Sequence, residues 1–305
     1  MLQYIARRLL WMVPVLLFVA AITFTLMHLV PGGPWSDNPR LPKAAVERLD
    51  AQYGLDDPLW KQFGNFMFNA SQGDLGVSYQ SLNRPVTGML LDGIKVSATL
   101  GVLALVIAAV LGISLGIIAA LRQNTVIDYA TLAVATFGAS VPAFVVGMLI
   151  LIVFTVELHW LPSGGWGTPK QLVMPVVALS LLPTAYIARV TRASMLEVLQ
   201  QDYVRTARAK GLRENVVVLR HMLRNSLIPV LTVLGPVAAA LVTGSFVIEY
   251  LFFIPGVGRQ FVTSIAARDY GLIMGTTLFY AAVVAVANLV VDVLYAVVDP
   301  RIRYR

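Results

Sequence analysis

YVRTARAKGLRENVVVLRHMLRNSLIP, residues Tyr203 to Pro229, is a basic segment broken by Gly211 and set between two long apolar runs. A helix-period pattern passes through Met195, Leu196, Leu199, Tyr203 and Ala207 and stops at Gly211, where glycine can take the left-handed conformation that closes a helix. A second helix is expected to start near Glu214 and Asn215. The reading predicts two short helices at an angle, with Ala207, Ala209 and Gly211 at the corner, a shape that permits close backbone contact with a groove. Residues 189–225 hold eight Lys and Arg, three Asp and Glu and one His. Two meanings stay open on physical grounds: a solvated basic loop beside a membrane, or a docking element.

Outward from this segment the chain is apolar. Hydrophobic residues make up 58% and charged residues 13%, against about 45–50% and about 25% in ordinary globular chains, and the mean hydropathy is +0.76. Crossing about 30 Å of hydrocarbon takes roughly 17–25 helical residues. Six runs qualify, uncharged over 9–30, 96–121, 129–156, 172–188, 226–248 and 271–291, and they predict spans at 9–30, 96–121, 129–156, 172–190, 226–248 and 271–298, the fourth reaching past Arg189 and the last past Asp292. They lack the alternation of a membrane barrel, and a helix satisfies its own backbone hydrogen bonds. The expected fold is all-α: a single polytopic membrane domain of six spans, with an outer loop at 31–95 and a cytoplasmic loop at 191–225. Arg7 and Arg8 before an apolar run, with Val19, Ala20 and Ala21 as a tolerable cleavage site, imitate a secretory signal. The run continues to Val30, however, beyond the 7–15 residues of a signal core, so a retained first span is expected.

Lys and Arg in the connecting segments number 14 on the side of the amino terminus and 9 on the other, and the acidic residues number 5 and 10. Both termini are therefore expected in the cytoplasm. The net charge of +7 reflects this asymmetry beside anionic lipid and does not point to nucleic acid. There is no cysteine, which excludes disulfides, thiolate metal sites and cysteine nucleophiles.

The long outer loop carries two helical patterns, Val46, Leu49, Tyr53 and Trp60, Phe63, Met67, suited to a lid on the bundle rim or a docking surface. HWLPSGGWG, from His159, excludes regular structure across the next outer loop. Within the spans, Pro142, Pro175, Pro183, Pro229 and Pro236 suggest kinks, and Gly112 with Gly116 suggests a close helix contact. Asp292 reads as an interhelical anchor or a relay. Glu249 and His28 read as rim groups. Ser140, Ser180, Thr243 and Ser245, with Glu249, are candidates to line a passage, although Ser and Thr also bond back to their own helix.

RTARAKGL followed by RHMLRNSLIPVLT resembles the cytoplasmic signature loop of permease subunits of ATP-binding-cassette importers, in the dipeptide and oligopeptide group and its B-type branch. The likeness extends over the chain through IARRLLWMVPVL, PGGPW, GDLGVSY, ALRQNT, IEYLFFIPGVGRQFVTSIAARDY and VDVLYAVVDPRIRY. The general signature reads Glu-Ala-Ala, three residues, Gly, then Leu-Pro. Here Arg205, Thr206, Ala207 and Gly211 take those places, so the glutamate is missing and Pro229 lies farther along. The resemblance implies the type I importer permease fold and a coupling site at Arg205, Thr206, Ala207, Arg208, Ala209, Lys210 and Gly211, seated in a cleft of a separate ATPase and pulled through Ala207 and Gly211. It also implies the partners: a second homologous permease, two ATP-binding-cassette ATPase subunits, an extracytoplasmic peptide-binding protein, the lipid bilayer and a peptide substrate. No cofactor is expected on this chain, with ATP and Mg2+ on the ATPase subunits, since the sequence contains no G-x-x-x-x-G-K-[ST]. A sister permease for nickel chelates, glutathione or another small solute is the nearest alternative.

Other classes fit poorly. A secondary transporter calls for several intramembrane charges and usually inverted repeats. A channel calls for a filter or a charged ring, and an enzyme for clustered polar side chains at one depth.

Overall fold

The computed structural model describes residues 2–35, 42–81 and 84–298. Among them the chain is helical: α1 Leu2–Leu29, α2 Lys43–Tyr53, α3 Leu59–Ser71, α4 Val86–Leu121, α5 Val126–Ser140, α6 Ala143–Leu151, α7 Pro169–Leu199, α8 Asp202–Ala209, α9 Glu214–Val216, α10 Leu223–Val242, α11 Phe246–Leu251, α12 Val257–Ala266 and α13 Tyr270–Val298. Two wider π turns, Ile152–Glu157 and Val217–Met222, extend α6 and join α9 to α10. Five helical stretches are long and apolar enough to cross a membrane, and six if α5 and α6 make one bent span.

The chain divides into two compact units. The first comprises residues 1–97 and 255–289. Its core joins Ala20 of α1 to Leu75, Val86 and Leu90 and to Val257, Leu272 and Leu278. Phe63, Phe66, Met67 and Ala70 of α3 pack on that core while Trp60 stays 76% exposed, so α3 lies as a lid with one apolar face turned outward. α4 starts ten residues before the expected span, because Asp92 and Lys95, read as loop charges, sit exposed on the helix and pair with each other at 3.5 Å.

The second unit comprises residues 98–254 and 290–298. α7 is its axis. Thr168 and Gln171 form a capping box with Pro169 at the first helical position, a strong start signal. The helix runs to Leu199, so Met195, Leu196 and Leu199 belong to it and not to a separate loop helix. Gly112 and Gly116 let α4 approach α7: a Cβ at Gly112 would sit 2.8 Å from Cβ of Ile187, and one at Gly116 2.5 Å from Cβ of Thr191. The Gly-x-x-x-Gly pair therefore serves close helix packing. The expected third span, 129–156, is broken. Val141, ahead of Pro142, is extended (φ −96°, ψ 125°), the conformation a following proline enforces, and α5 meets α6 at 98°.

Candidate functional site

The glycine corner is built as a helix end. α8 closes at Lys210, and Gly211 has φ +73°. The Leu212 N–H donates to the Ala207 carbonyl at 3.4 Å and the Gly211 N–H to that of Arg208 at 2.9 Å. These are the paired bonds of a Schellman cap, which needs a left-handed residue after the helix. Nothing lies within 4 Å of where a Cβ on Gly211 would be, so the conformation and not crowding calls for glycine. Arg208 then clamps the corner, its Nη2 and Nε donating to the two Glu214 carboxylate oxygens at 2.6 and 3.2 Å. Those bonds hold the Glu214 carboxyl below its ordinary range. Asn225 donates to the Tyr203 hydroxyl at 2.8 Å, tying α8 to α10.

Three expectations about this loop change. The second short helix is not separate, since Glu214 begins a stretch that continues to Val242. The register also shifts at Gln200 and Gln201, where α7 ends and α8 begins, so Val204 and not Tyr203 joins Ala207 on the buried face. Finally, Ala207 is buried. It packs with Val204 on Ala120, Met195, Val198, Val217 and Met222, whereas Arg205, Thr206, Arg208, Ala209, Lys210 and Gly211 are exposed. One face of α8 is buried in the second unit and the other exposes cations and backbone.

A neighbouring ion pair escaped the sequence reading. Asp128, fully buried in the first turn of α5, accepts Nε and Nη2 of Arg192 at 2.6 and 2.7 Å and the Asn124 N–H at 3.0 Å. An acidic residue at a helix start was the available signal; its partner 64 residues away was not.

The candidate pathway hydroxyls are engaged locally. Ser140 donates to Thr136, Ser180 to Val177 and Thr243 to Ala240, each within its own helix. Ser245 caps α11, accepting the Ile248 N–H at 3.4 Å. Glu249 corrects the rim reading: it is fully buried, because after Gly244 (φ +92°) the chain turns into the short α11 instead of ending at the rim. Asp292 is half-buried on α13. His28 reaches the Phe24 carbonyl at 2.8 Å and stacks near Phe24 and Tyr270.

In the first unit, GDLGVSY and AARDY meet. The buried Asp269 carboxylate accepts the Ser78 hydroxyl, the Tyr79 N–H at 2.9 Å and the Leu272 N–H at 3.1 Å, so one side chain caps α13 and holds the loop that precedes α4. Tyr79 is pushed up to about 12 by burial, with Asp269 adding to it.

This set of helices has the fold of importer permeases. The chain superposes on a solved structure of the MetNI methionine ABC transporter in an inward-facing conformation with a TM-score of 0.54 at 16% identity, over 69% of this chain and 96% of that one. It superposes on an amino acid ABC transporter with a TM-score of 0.55 at 16% identity, over 68% and 93%. Residues 112–304 match the family of binding-protein-dependent transport system inner membrane components, and residues 1–101 match the amino-terminal region of such membrane components. The chain belongs to this family and is a multi-pass bacterial inner membrane protein. It is 43% identical over 306 residues to the oligopeptide transport system permease protein OppB of Escherichia coli, covering 100% of both chains. It is 44% identical over 303 residues to the dipeptide transport system permease protein DppB of Bacillus subtilis, covering 99% of this chain and 98% of that one. Identity to DppB of Lactococcus lactis is 45% over 303 residues, covering 99% and 100%.

Proposed function

We propose that this chain is a peptide permease subunit, forming half of the route by which an ATP-driven importer carries dipeptides or oligopeptides across the membrane. End-to-end identity above 40% to permeases named for those cargoes carries the substrate class. The remaining partners follow from the family: a second permease completes the passage, an extracytoplasmic binding protein delivers the peptide, and two ATPase subunits with their own ATP and Mg2+ drive the cycle. This chain supplies no catalytic group. Both termini lie in the cytoplasm, in keeping with the excess of Lys and Arg on that side, and the apolar cores of α1, α4, α5 with α6, α7, α10 and α13 are the six spans.

The observation that supports coupling is the two-faced corner. Arg205, Thr206, Arg208, Ala209, Lys210 and Gly211 present donors and open backbone to an ATPase cleft. Val204 and Ala207 carry the resulting displacement into Met195 and Val198 of α7 and Met222 before α10. Ala207 is thus the root of the lever and not its contact.

Two measurements test the proposal. In proteoliposomes holding the whole importer, uptake of a short peptide should require ATP inside and survive collapse of the proton gradient. Uptake driven by the gradient alone, or preference of the copurified binding protein for nickel chelates or glutathione over peptides, would refute the corresponding part.

A further inference from the structure

The transport reading gives α5 no task beyond its share of a span, and three observations set this helix apart. At one end it breaks from α6 at Val141 and Pro142. Along its length it packs on α7, beside a half-open apolar crevice of about 210 Å³ lined by Ala130 and Ala135 of α5 and by Leu115, Leu181, Ala185 and Ala188. At its other end α5 is pinned by the two-pronged contact of Asp128 with Arg192, the carboxylate being wholly out of water. A helix broken from its neighbour at one end and pinned at the other follows whatever holds the pinned end.

We infer that the Asp128–Arg192 pair is the transmission link that makes α5 move with the coupling loop. This rests on the coupling role proposed above for α8. Arg192 lies seven residues before the end of α7, about 10 Å of helix, and α8 begins three residues after that end. Displacement of α8 therefore arrives at Arg192 through a rigid rod. The pair resists separation because each charge would be left desolvated and alone. Both are positioning residues, and neither touches cargo or nucleotide.

The test uses the complete importer in proteoliposomes. Because this chain has no cysteine, spin labels on cysteines introduced at the exposed Val126 and Gln200 are its only labelled sites. The wild-type distance should stay narrow between the nucleotide-free and ATP-trapped states. D128N should keep ATP hydrolysis within twofold, lose at least fivefold in peptide imported per ATP and broaden the Val126–Gln200 distribution on trapping. The exchange D128R/R192D should regain at least half of that loss, which a purely structural cost would not predict. Should D128N fail to assemble, R192K keeps the charge without the fork and should give intermediate efficiency. The link is overturned if D128N, or R192K in its place, imports as much peptide per ATP as wild type with an unchanged distribution. It is equally overturned if D128N only lowers the melting temperature while surviving complexes remain fully efficient. Cross-linking from Leu212 to the ATPase in the same wild-type preparation separates the two levels. Capture together with unaltered D128N efficiency removes the link alone, and failure of capture removes the coupling role and the link with it.

Discussion

The glycine corner and the Asp269 clasp both fasten a loop to the end of a helix, yet they do it at opposite sequence range. At the corner, the backbone bonds join residues three to five apart and the clamp joins residues six apart. At the clasp, one buried carboxylate binds a hydroxyl and an amide 190 or more residues away while capping its own helix. A short-range device is written in consecutive residues and stays mostly in water. A long-range device withdraws a charge from water and depends on every partner arriving. The first tolerates change and can act as a moving part, whereas the second fixes a frame.

Breaking the clasp should therefore be the most damaging substitution. Asp269→Ala strands the Ser78 hydroxyl and two backbone donors in a buried site, at about 1–3 kcal/mol for each unsatisfied group. The purified protein should melt far lower or fail to accumulate, and a melting temperature near that of wild type would contradict the clasp. Next comes the tight seam of the second unit. Gly116→Leu drives atoms into Thr191 and the Ala188 carbonyl, with an overpacking cost of about 1–3 kcal/mol, readable as reduced thermal stability in detergent. At the corner, Gly211→Ala should cost only about 1–2 kcal/mol, the strain of a left-handed non-glycine residue. Gly211→Trp should insert normally but separate ATP hydrolysis from peptide uptake. Normal substrate-stimulated hydrolysis and uptake in the tryptophan variant would show that the corner is not a contact. The smallest effect belongs to Glu214→Gln, since an exposed pair contributes under about 1 kcal/mol. The sign of its pH dependence is fixed. The folded carboxyl titrates below the unfolded one, so its stabilisation is present above the unfolded value and fades as pH falls through the folded one. An equal melting shift on acidification in wild type and Glu214→Gln would show that the pair contributes nothing.

Legibility followed the same division. Gly112 with Gly116, the α3 stripe and the stop at Gly211 were visible because each depends on spacing within one helix or on one backbone angle. The break at Pro142 was only half visible: proline announced a kink, but the size of the bend depends on what α5 and α6 pack against. Glu249 was misplaced because hydropathy alone extends the fifth span to Ile248, whereas Gly244 turns the chain back before that. Ala207 was read as a contact because composition does not tell which face of an amphipathic turn finds a core.

The sequence by itself determined that this chain crosses the membrane several times, that its basic loop ends a helix at Gly211, and to which family it belongs. These properties reside in runs of apolar residues, in one permissive backbone position and in motifs along the chain. Only the tertiary structure decided that Ala207 is rooted, that Glu249 is buried, that Asp269 gathers the loop that precedes α4 and that Asp128 meets Arg192. The partner of a desolvated charge is set by which helices come together, and that choice comes from packing the whole chain, beyond the reach of any local pattern.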